Sequence, residues 1–412
     1  MKKALFIGYV WPEPKTTAAG HRMMQLLRAF KVNGFDITFA TTATETSYSE
    51  PLEDLGIQIK SIVLNASSFD TFVQSLKPNV VVFDRFMVEE QFGWRVAEFA
   101  PDALRILNTE DLHSLRNARQ DSHKKEETFT NIHWLKHDMT KREVASVYRS
   151  DLTLLVSTFE KLLLEKEVHI DSALLYHLPF LYDTIETTVR EDWSGFKERK
   201  DFICFGNGKH APNVDAIRWL KEVIWPLIRT KLPDAQLHVY GAYLPQYINE
   251  MHNVKNGFLV QGWIDDLDTA LQKTKVNLAP LRFGAGIKGK LTQAMRNGTP
   301  TVTTTIGVEG MLSNLSFSGM IADNAEKFAA DAFKLYSNEV IWKDKQNNGT
   351  TIINKFYNKE KLTLKFFEIL ESLMTNLSSH REANFIGNLL QHQSLASTKY
   401  MAKWIEEKNK NQ

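Results

Sequence analysis

Along this chain, short runs of β-branched and aromatic residues alternate with longer stretches whose apolar positions recur at helical spacing, the pattern of parallel strands joined by crossover helices. In the first half the pattern predicts strands at 4–10, 35–40, 80–83, 104–108 and 152–156. It also predicts a helix over 20–30, with Met23, Met24, Leu27 and Phe30 near one face. The charged stretch 111–149 is expected to be helical and largely solvated. From 182 to 201 the apolar periodicity stops and polar residues dominate, which marks a linker. A second alternating series follows, with strands expected at 202–205, 236–240, 258–261, 276–281 and 301–305 and a helix over 213–225. Residues 325–412 read as helices, with Phe366, Phe367, Ile369, Leu370 and Leu373 forming a stripe to bury. The expectation is an α/β chain of two doubly wound units, 1–182 and 202–372, joined by 183–201 and followed by a helical segment at 373–412. Such sheets bind ligands outside the carboxyl ends of their strands, so a cleft between the units is the place to look.

Composition narrows the classes. The chain has 412 residues, 43% of them hydrophobic, enough for two sizeable cores. Lys and Arg number 50 against 49 Asp and Glu, which leaves no global field for nucleic acid or an anionic membrane, so phosphate binding must be local. The single cysteine, Cys204, lies in an apolar strand, excludes a disulfide framework and fits a reducing, cytoplasmic setting. The opening MKKALFIGYV has a signal-like start, but its apolar run ends at Trp11-Pro12 and is read as a first strand. No stretch approaches the roughly 18–20 apolar residues that cross a bilayer, so membrane contact is at most peripheral.

The strongest chemical signal is Pro280-Leu281-Arg282-Phe283-Gly284-Ala285-Gly286-Ile287-Lys288-Gly289-Lys290. A buried strand ends there in a glycine-rich turn that opens a helix, whose free amides suit an anion. Lys288 and Lys290 add charge, and since neighbouring helix positions cannot all face a cleft, Lys290 serves as the comparison for Lys288. Gly284, Gly286 and Gly289 also fit the literal G-x-G-x-x-G dinucleotide fingerprint, with Glu309 near the ribose-binding distance. The match nevertheless falls in the fourth crossover of its unit, and its lysines suit an exposed diphosphate better.

The turn Phe205-Gly206-Asn207-Gly208-Lys209 is built alike, with Asn213 as the expected N-cap of the next helix. In the first unit, Thr16 to His21, including Ala19 and Gly20, precedes a helix, and Asn108-Thr109-Glu110-Asp111-Leu112-His113 follows a strand. His113 with Asp111 and Glu110 suits orienting or deprotonating a hydroxyl, while Asp111 as a helix cap explains the same letters. His133 and His137 have metal-ligand spacing without an accompanying acid, so a solvated helix face is preferred and no metal site is expected.

With these residues in view, the second half resembles the donor-binding domain of bacterial family 4 glycosyltransferases, enzymes of the two-Rossmann GT-B architecture. The likeness rests on Phe205-Gly206 with Pro212 to Ala216, His238 to Gly241, Gln261 to Asp266, Ala279 to Lys290, and Gly298 to Val302 with Gly307 to Gly310. The resemblance implies an acceptor-side domain followed by a nucleotide-sugar domain. It implies transfer of a hexosyl group from a nucleotide-diphosphate sugar to a glycan, lipid-linked or small-molecule hydroxyl, with retention, no cofactor and no essential metal. Lys288, His113 and Asp111 would carry catalysis. Gly206, Gly208, Lys209, Arg282, Gly284, Ala285, Gly286 and Ile287 would cradle the donor, Trp263 and Ile264 would face the base, Gln293 and Glu309 would serve the donor, and Ala19 and Gly20 would form the acceptor-side loop. Two features depart from the family: the usual Arg and Lys of the first donor-domain loop are absent, and Gln293 stands where the second of two paired glutamates is usual. A catalytically degenerate binder of the same fold, an epimerase of that fold and a dehydrogenase remain as alternatives.

Overall fold

Ala4 and Phe6 pack on one side of strand β1 (Lys2–Gly8) and Leu5 and Ile7 on the other. Burial on both faces requires helices on both faces, as in an all-parallel sheet. The computed structural model, which describes residues 2–392 and beyond them only 400, 401, 404 and 408, builds on this strand a seven-stranded sheet in the order β3-β2-β1-β4-β5-β6-β7. Its other strands are β2 (Phe35–Thr41), β3 (Gln58–Ser61), β4 (Val80–Asp84), β5 (Leu104–Asn108), β6 (Leu152–Leu155) and β7 (Leu175–His177). A second, six-stranded parallel sheet runs β10-β9-β8-β11-β12-β13. It comprises β8 (Lys200–Phe205), β9 (Leu237–Tyr240), β10 (Phe258–Gly262), β11 (Thr274–Ala279), β12 (Thr301–Thr303) and β13 (Gly319–Ile321). The expected fold of two Rossmann-like units with C-terminal helices is thus the fold observed. In each unit the strand order reverses beside the first strand, between β1 and β4 and between β8 and β11, and the loops after β1, β8 and β11 meet the other unit.

The chain crosses between units twice at one place. The Tyr182 amide donates to Tyr357 O and the Lys359 amide to Tyr182 O, each at 2.8 Å. The helix Lys359–Thr375 then packs on the first unit, where Phe366, Phe367 and Leu370 join Phe30 and Phe35 in one core. Ring centroids of Phe30 and Phe367 lie 5.1 Å apart. Farther on, Arg381 donates to both Asp151 carboxylate oxygens at 2.8 Å and to the Ala103 carbonyl at 2.7 Å, strapping the chain to the ends of β5 and β6. The expected helical continuation past 392 lies largely outside the described residues. Among the described residues no helix is long and apolar enough to cross a membrane.

Two expectations are corrected. The charged stretch 111–149 forms three helices, His113–Lys124, Asn131–Lys136 and Asp138–Arg149, and it is not a solvated face. Leu115, Ala118, Trp134 and Val147 are buried there, as are the charged Arg119 and Glu143. These charges have interior partners, so counting them as solvent-facing misjudged the segment. Nor do His133 and His137 share one helix: His133 is in the Asn131–Lys136 helix, and His137 accepts the Met139 amide as N-cap of the next. The strands β3, β7 and β13, three or four residues each, had no pattern long enough to read.

Candidate functional site between the two units

The glycine turn after β11 meets the first unit at backbone distance. A Cβ on Gly286 would lie 2.8 Å from Asp111 Cβ, and one on Gly289 2.8 Å from Ala18 Cβ. Gly286 also has φ 65°, open to glycine at little cost. Its amide donates at 2.8 Å to Glu160 Oε1, which also accepts the Leu112 amide at 2.9 Å. A carboxyl group of the first unit therefore already sits on one amide of the expected anion cradle. The amides of Ala285, Ile287 and Lys288 donate to no acceptor among the described residues. Lys288, 8% exposed, is the N-cap residue of the helix Gly289–Arg296. Its Nζ donates to the Ala285 and Gly286 carbonyls at 3.1 and 2.6 Å. Burial lowers the Lys288 ammonium to about 8, with Glu309 and Glu160 opposing the shift, so it remains mostly charged at neutral pH. Lys290 is not the solvent-facing comparison expected, because its Nζ donates to Asn213 Oδ1 at 2.8 Å.

Arg119, from the first unit, crosses the cleft. Its Nη1 donates to Gly284 O at 2.8 Å and Glu309 Oε2 at 2.7 Å, while Nη2 donates to Glu309 Oε1 at 2.8 Å. Rings of Phe129 and Phe159 lie 5.2 and 5.3 Å from the guanidinium. The carboxylate of Glu309 is thus engaged by a bidentate arginine.

Beneath the turn, Asp111 pairs with Arg116 and lies 3.3 Å from His113 Nε2. Burial would raise the Asp111 carboxyl, but Arg116, His113 and His210 outweigh it and hold it at about 2. Burial drives His113 down to about 3 despite Asp111, so its ring is neutral at physiological pH. Asp111 does not cap the following helix. Glu143 accepts the His113 and Ser114 amides at 2.9 and 3.0 Å instead, and Leu112 stands at the N-cap. Asn213 likewise lies inside the helix Ala211–Trp219, whose N-cap residue is His210. Its Nδ2 donates to Asn207 O at 3.0 Å, and a Cβ on Gly206 would lie 2.6 Å from that nitrogen.

The other expected residues spread along the cleft. Lys209 Nζ stands 3.6 Å over the Tyr243 ring, and Tyr243 donates to Glu13 Oε1 at 3.0 Å across the units. Gly208 is fixed by close approach to the Tyr243 backbone. Trp263 packs 5.1 Å from Tyr48 of the first unit, and Ile264, the next residue, is half-buried. Arg282 pairs with Asp215 at 2.5 Å and lines a polar cavity of about 460 Å³ with His123, Lys124 and Glu126. The side chains of Ala285 and Ile287 are buried in cores. Gly20 approaches the Glu13 backbone, its amide capped by Thr17 Oγ1 at 2.8 Å, with Ala19 beside it in the first helical turn. Gln293 Nε2 donates at 3.2 Å to Asp268, which also accepts from Asn297 Nδ2 at 2.6 Å. A carboxylate thus stands beside the position where the family's glutamate is replaced.

Arg119 and Asp268 escaped the sequence reading as site residues, and Glu110 entered it only beside His113 and Asp111. A charged residue on an otherwise apolar helix face was the available signal for Arg119 and Glu160. Nothing local marks Asp268. Among the described residues no group of three His, Cys, Asp or Glu side chains is placed to hold a metal ion.

The fold has counterparts among known proteins. Residues 199–338 match the family described as Glycosyl transferases group 1. Over an alignment 228 positions long, covering 52% of this chain and 56% of the relative's length, the chain is 23% identical to an uncharacterized 44.6 kDa protein in the cps region of Klebsiella pneumoniae. Among solved structures, a sucrose-phosphate synthase from Thermosynechococcus elongatus superposes with a TM-score of 0.67 at 14% identity, covering 91% of this chain and all of that one. Anabaena HepE, solved in complex with UDP and glucose, gives 0.66 at 12% identity over 90% of this chain and all of its own. WaaG, a glycosyltransferase involved in lipopolysaccharide biosynthesis, gives 0.61 at 12% identity, with 89% and 99% covered.

Proposed function

For a chain whose second unit is a group 1 glycosyl transferase domain in the two-Rossmann fold, we propose retaining, metal-independent transfer of a hexosyl group from a nucleotide-diphosphate sugar to a hydroxyl acceptor in glycan assembly. The observation that carries this reading is Lys288, a buried ammonium folded under a glycine turn whose neighbouring amides lack protein acceptors. As the glycosidic bond breaks, charge develops on the departing diphosphate. Preorganised amides and a desolvated cation stabilise that charge more than they stabilise the ground state. Neutral His113, beside Asp111 and under the turn, suits accepting from or donating to a sugar hydroxyl. Asp268 beside Gln293 supports ribose binding despite the missing glutamate.

The UDP held by Anabaena HepE makes UDP the first nucleotide to try. The test is thermal unfolding with UDP, GDP, ADP and dTDP, each with magnesium and with a chelator, followed by transfer assays in which NMR reads the product's anomeric configuration. Stabilisation of about 2.7 kcal/mol is expected at a hundredfold excess over Kd, unchanged by the chelator. A strict metal requirement or an inverted product would refute the mechanism. Nucleotide binding without turnover on broad donor and acceptor panels would favour the degenerate binder that Gln293 first raised.

A further inference from the structure

A second polar cluster, not used above, lies where the first sheet reverses its strand order. Asp84 ends β4 and its register partner Asn108 ends β5. One Asp84 oxygen accepts the Tyr9 amide at 3.1 Å; the other, Oδ1, is buried with no hydrogen-bond partner. Asn108 is fully buried, donates through Nδ2 to Glu110 Oε1 at 2.8 Å, and leaves its own Oδ1 unpartnered. Arg22 is also fully buried, anchored by Nη1 on Pro179 O at 2.6 Å, with Nε and Nη2 unpartnered. Arg85 stands at the entrance, 3.9 Å from Asp84 and 5.1 Å over the exposed Tyr9 ring. Buried polar groups are almost always paired, so several orphans in one cluster point to a missing ligand.

The backbone agrees. Arg85 has φ 73° and ψ 158°, a region otherwise left to glycine, and Glu110 has φ 64°. Both are non-glycine residues held in costly conformations at the carboxyl ends of β4 and β5, and such strain clusters at ligand sites. The cluster also touches the donor turn, since a Cβ on Gly286 would lie 3.3 Å from Glu110 O.

We propose that Asp84, Glu110, Arg22 and Arg85 form the acceptor subsite, and that it takes two adjacent hydroxyls of a neutral sugar. The assignment rests on the glycosyltransfer reading and adds to it the acceptor's chemical class. A vicinal diol offers donors to the carboxyl and amide oxygens and acceptors to the guanidiniums, which matches the orphan atoms of both kinds. A carboxylate or phosphate at this place would face the Asp84 carboxylate. Burial and the Asp84 charge push the Glu110 carboxyl up to about 8, so near neutrality it is mostly protonated and donates a hydrogen bond.

The experiment is an NMR titration of the full chain, with and without UDP, using methyl glycosides of glucose, galactose and mannose, methyl glucuronide, and the corresponding deoxy glycosides. Asp84→Asn and Glu110→Gln keep the side-chain shapes. The Kd for the bound glycoside is expected to rise about ten- to a hundredfold in each, while the Kd for UDP is unchanged. Removing one of the two recognised hydroxyls should cost a similar factor in the unmutated chain and little more in the matching variant. Methyl glucuronide should bind more weakly than its neutral counterpart. A rise in the UDP-sugar KM instead would place the cluster on the donor and overturn the proposal, as would glycoside binding unaffected by either substitution, which would leave the orphan atoms to internal water. If no glycoside binds while UDP still raises the Tm, the subsite falls and the donor reading stands; if neither binds, both fall.

Discussion

Replacing Arg119 with methionine would keep an unbranched stem between Phe129 and Phe159 while removing three hydrogen bonds across the cleft. The Arg119 side chain is 6% exposed and that of Glu309 17%, so the pair is largely desolvated. Removing one partner strands the Glu309 carboxylate, at a cost of about 3–5 kcal/mol. Because the partners belong to different units, the loss falls on closure of the cleft more than on either core. At 1.4 kcal/mol per tenfold, it shifts the closed-to-open ratio by roughly two to four orders of magnitude. Hydrogen exchange reads this at the Gly286 amide, whose acceptor Glu160 is supplied by the first unit. In Arg119→Met that amide should lose protection while the amides of β1 and β8 keep theirs. Adding Glu309→Gln should restore part of the loss by neutralising the stranded charge. Unchanged Gly286 protection in the single variant, or additive costs in the cycle with Glu309→Gln, would refute the argument.

Three further outcomes follow from the same contacts. Lys288→Ala should lower donor kcat/KM by about a hundred- to a thousandfold with little change in nucleoside affinity, whereas Lys290→Ala, whose ammonium is held by Asn213, should lose less; steady-state kinetics with a turned-over donor decide, and equal losses would contradict the placement. Burial first, then Asp111, raises the Glu160 carboxyl from 4.5 to about 8, so the folded state holds a proton that the unfolded state releases. That contribution to stability is complete below about 4.5 and is lost as pH rises through about 8; Glu160→Gln should therefore flatten the decline of Tm between pH 5 and 9, and an unchanged slope would count against it. Phe366→Ala should cost the first unit about 3–5 kcal/mol, because Phe366 is 1% exposed and packed on Phe30 and Tyr176; a urea melt that shifts only the second unit's transition would be the contrary result.

Much of this architecture is legible in one dimension because it is written in local periodicity. Apolar runs buried on both faces, broken by helical stretches, allow little besides parallel crossover sheets, and the turn from Pro280 to Lys290 opens a helix wherever the chain around it folds. That Lys288 is buried while Arg282 faces an outer cavity is beyond such reasoning, since both are cations in one glycine-rich loop. The difference comes from what each side chain meets: Lys288 meets carbonyls of its own turn and Arg282 meets Asp215. The same holds for the charged stretch 111–149, whose composition suits water but whose Arg119 and Glu143 are held inside by partners as far away as Glu309. Asp268 beside Gln293 and Glu160 on the Gly286 amide also arise from docking distant segments. A sequence carries the period of each element, but contacts such as Arg119 to Glu309 and the Gly286 amide to Glu160 exist only once two independently patterned units have closed on each other.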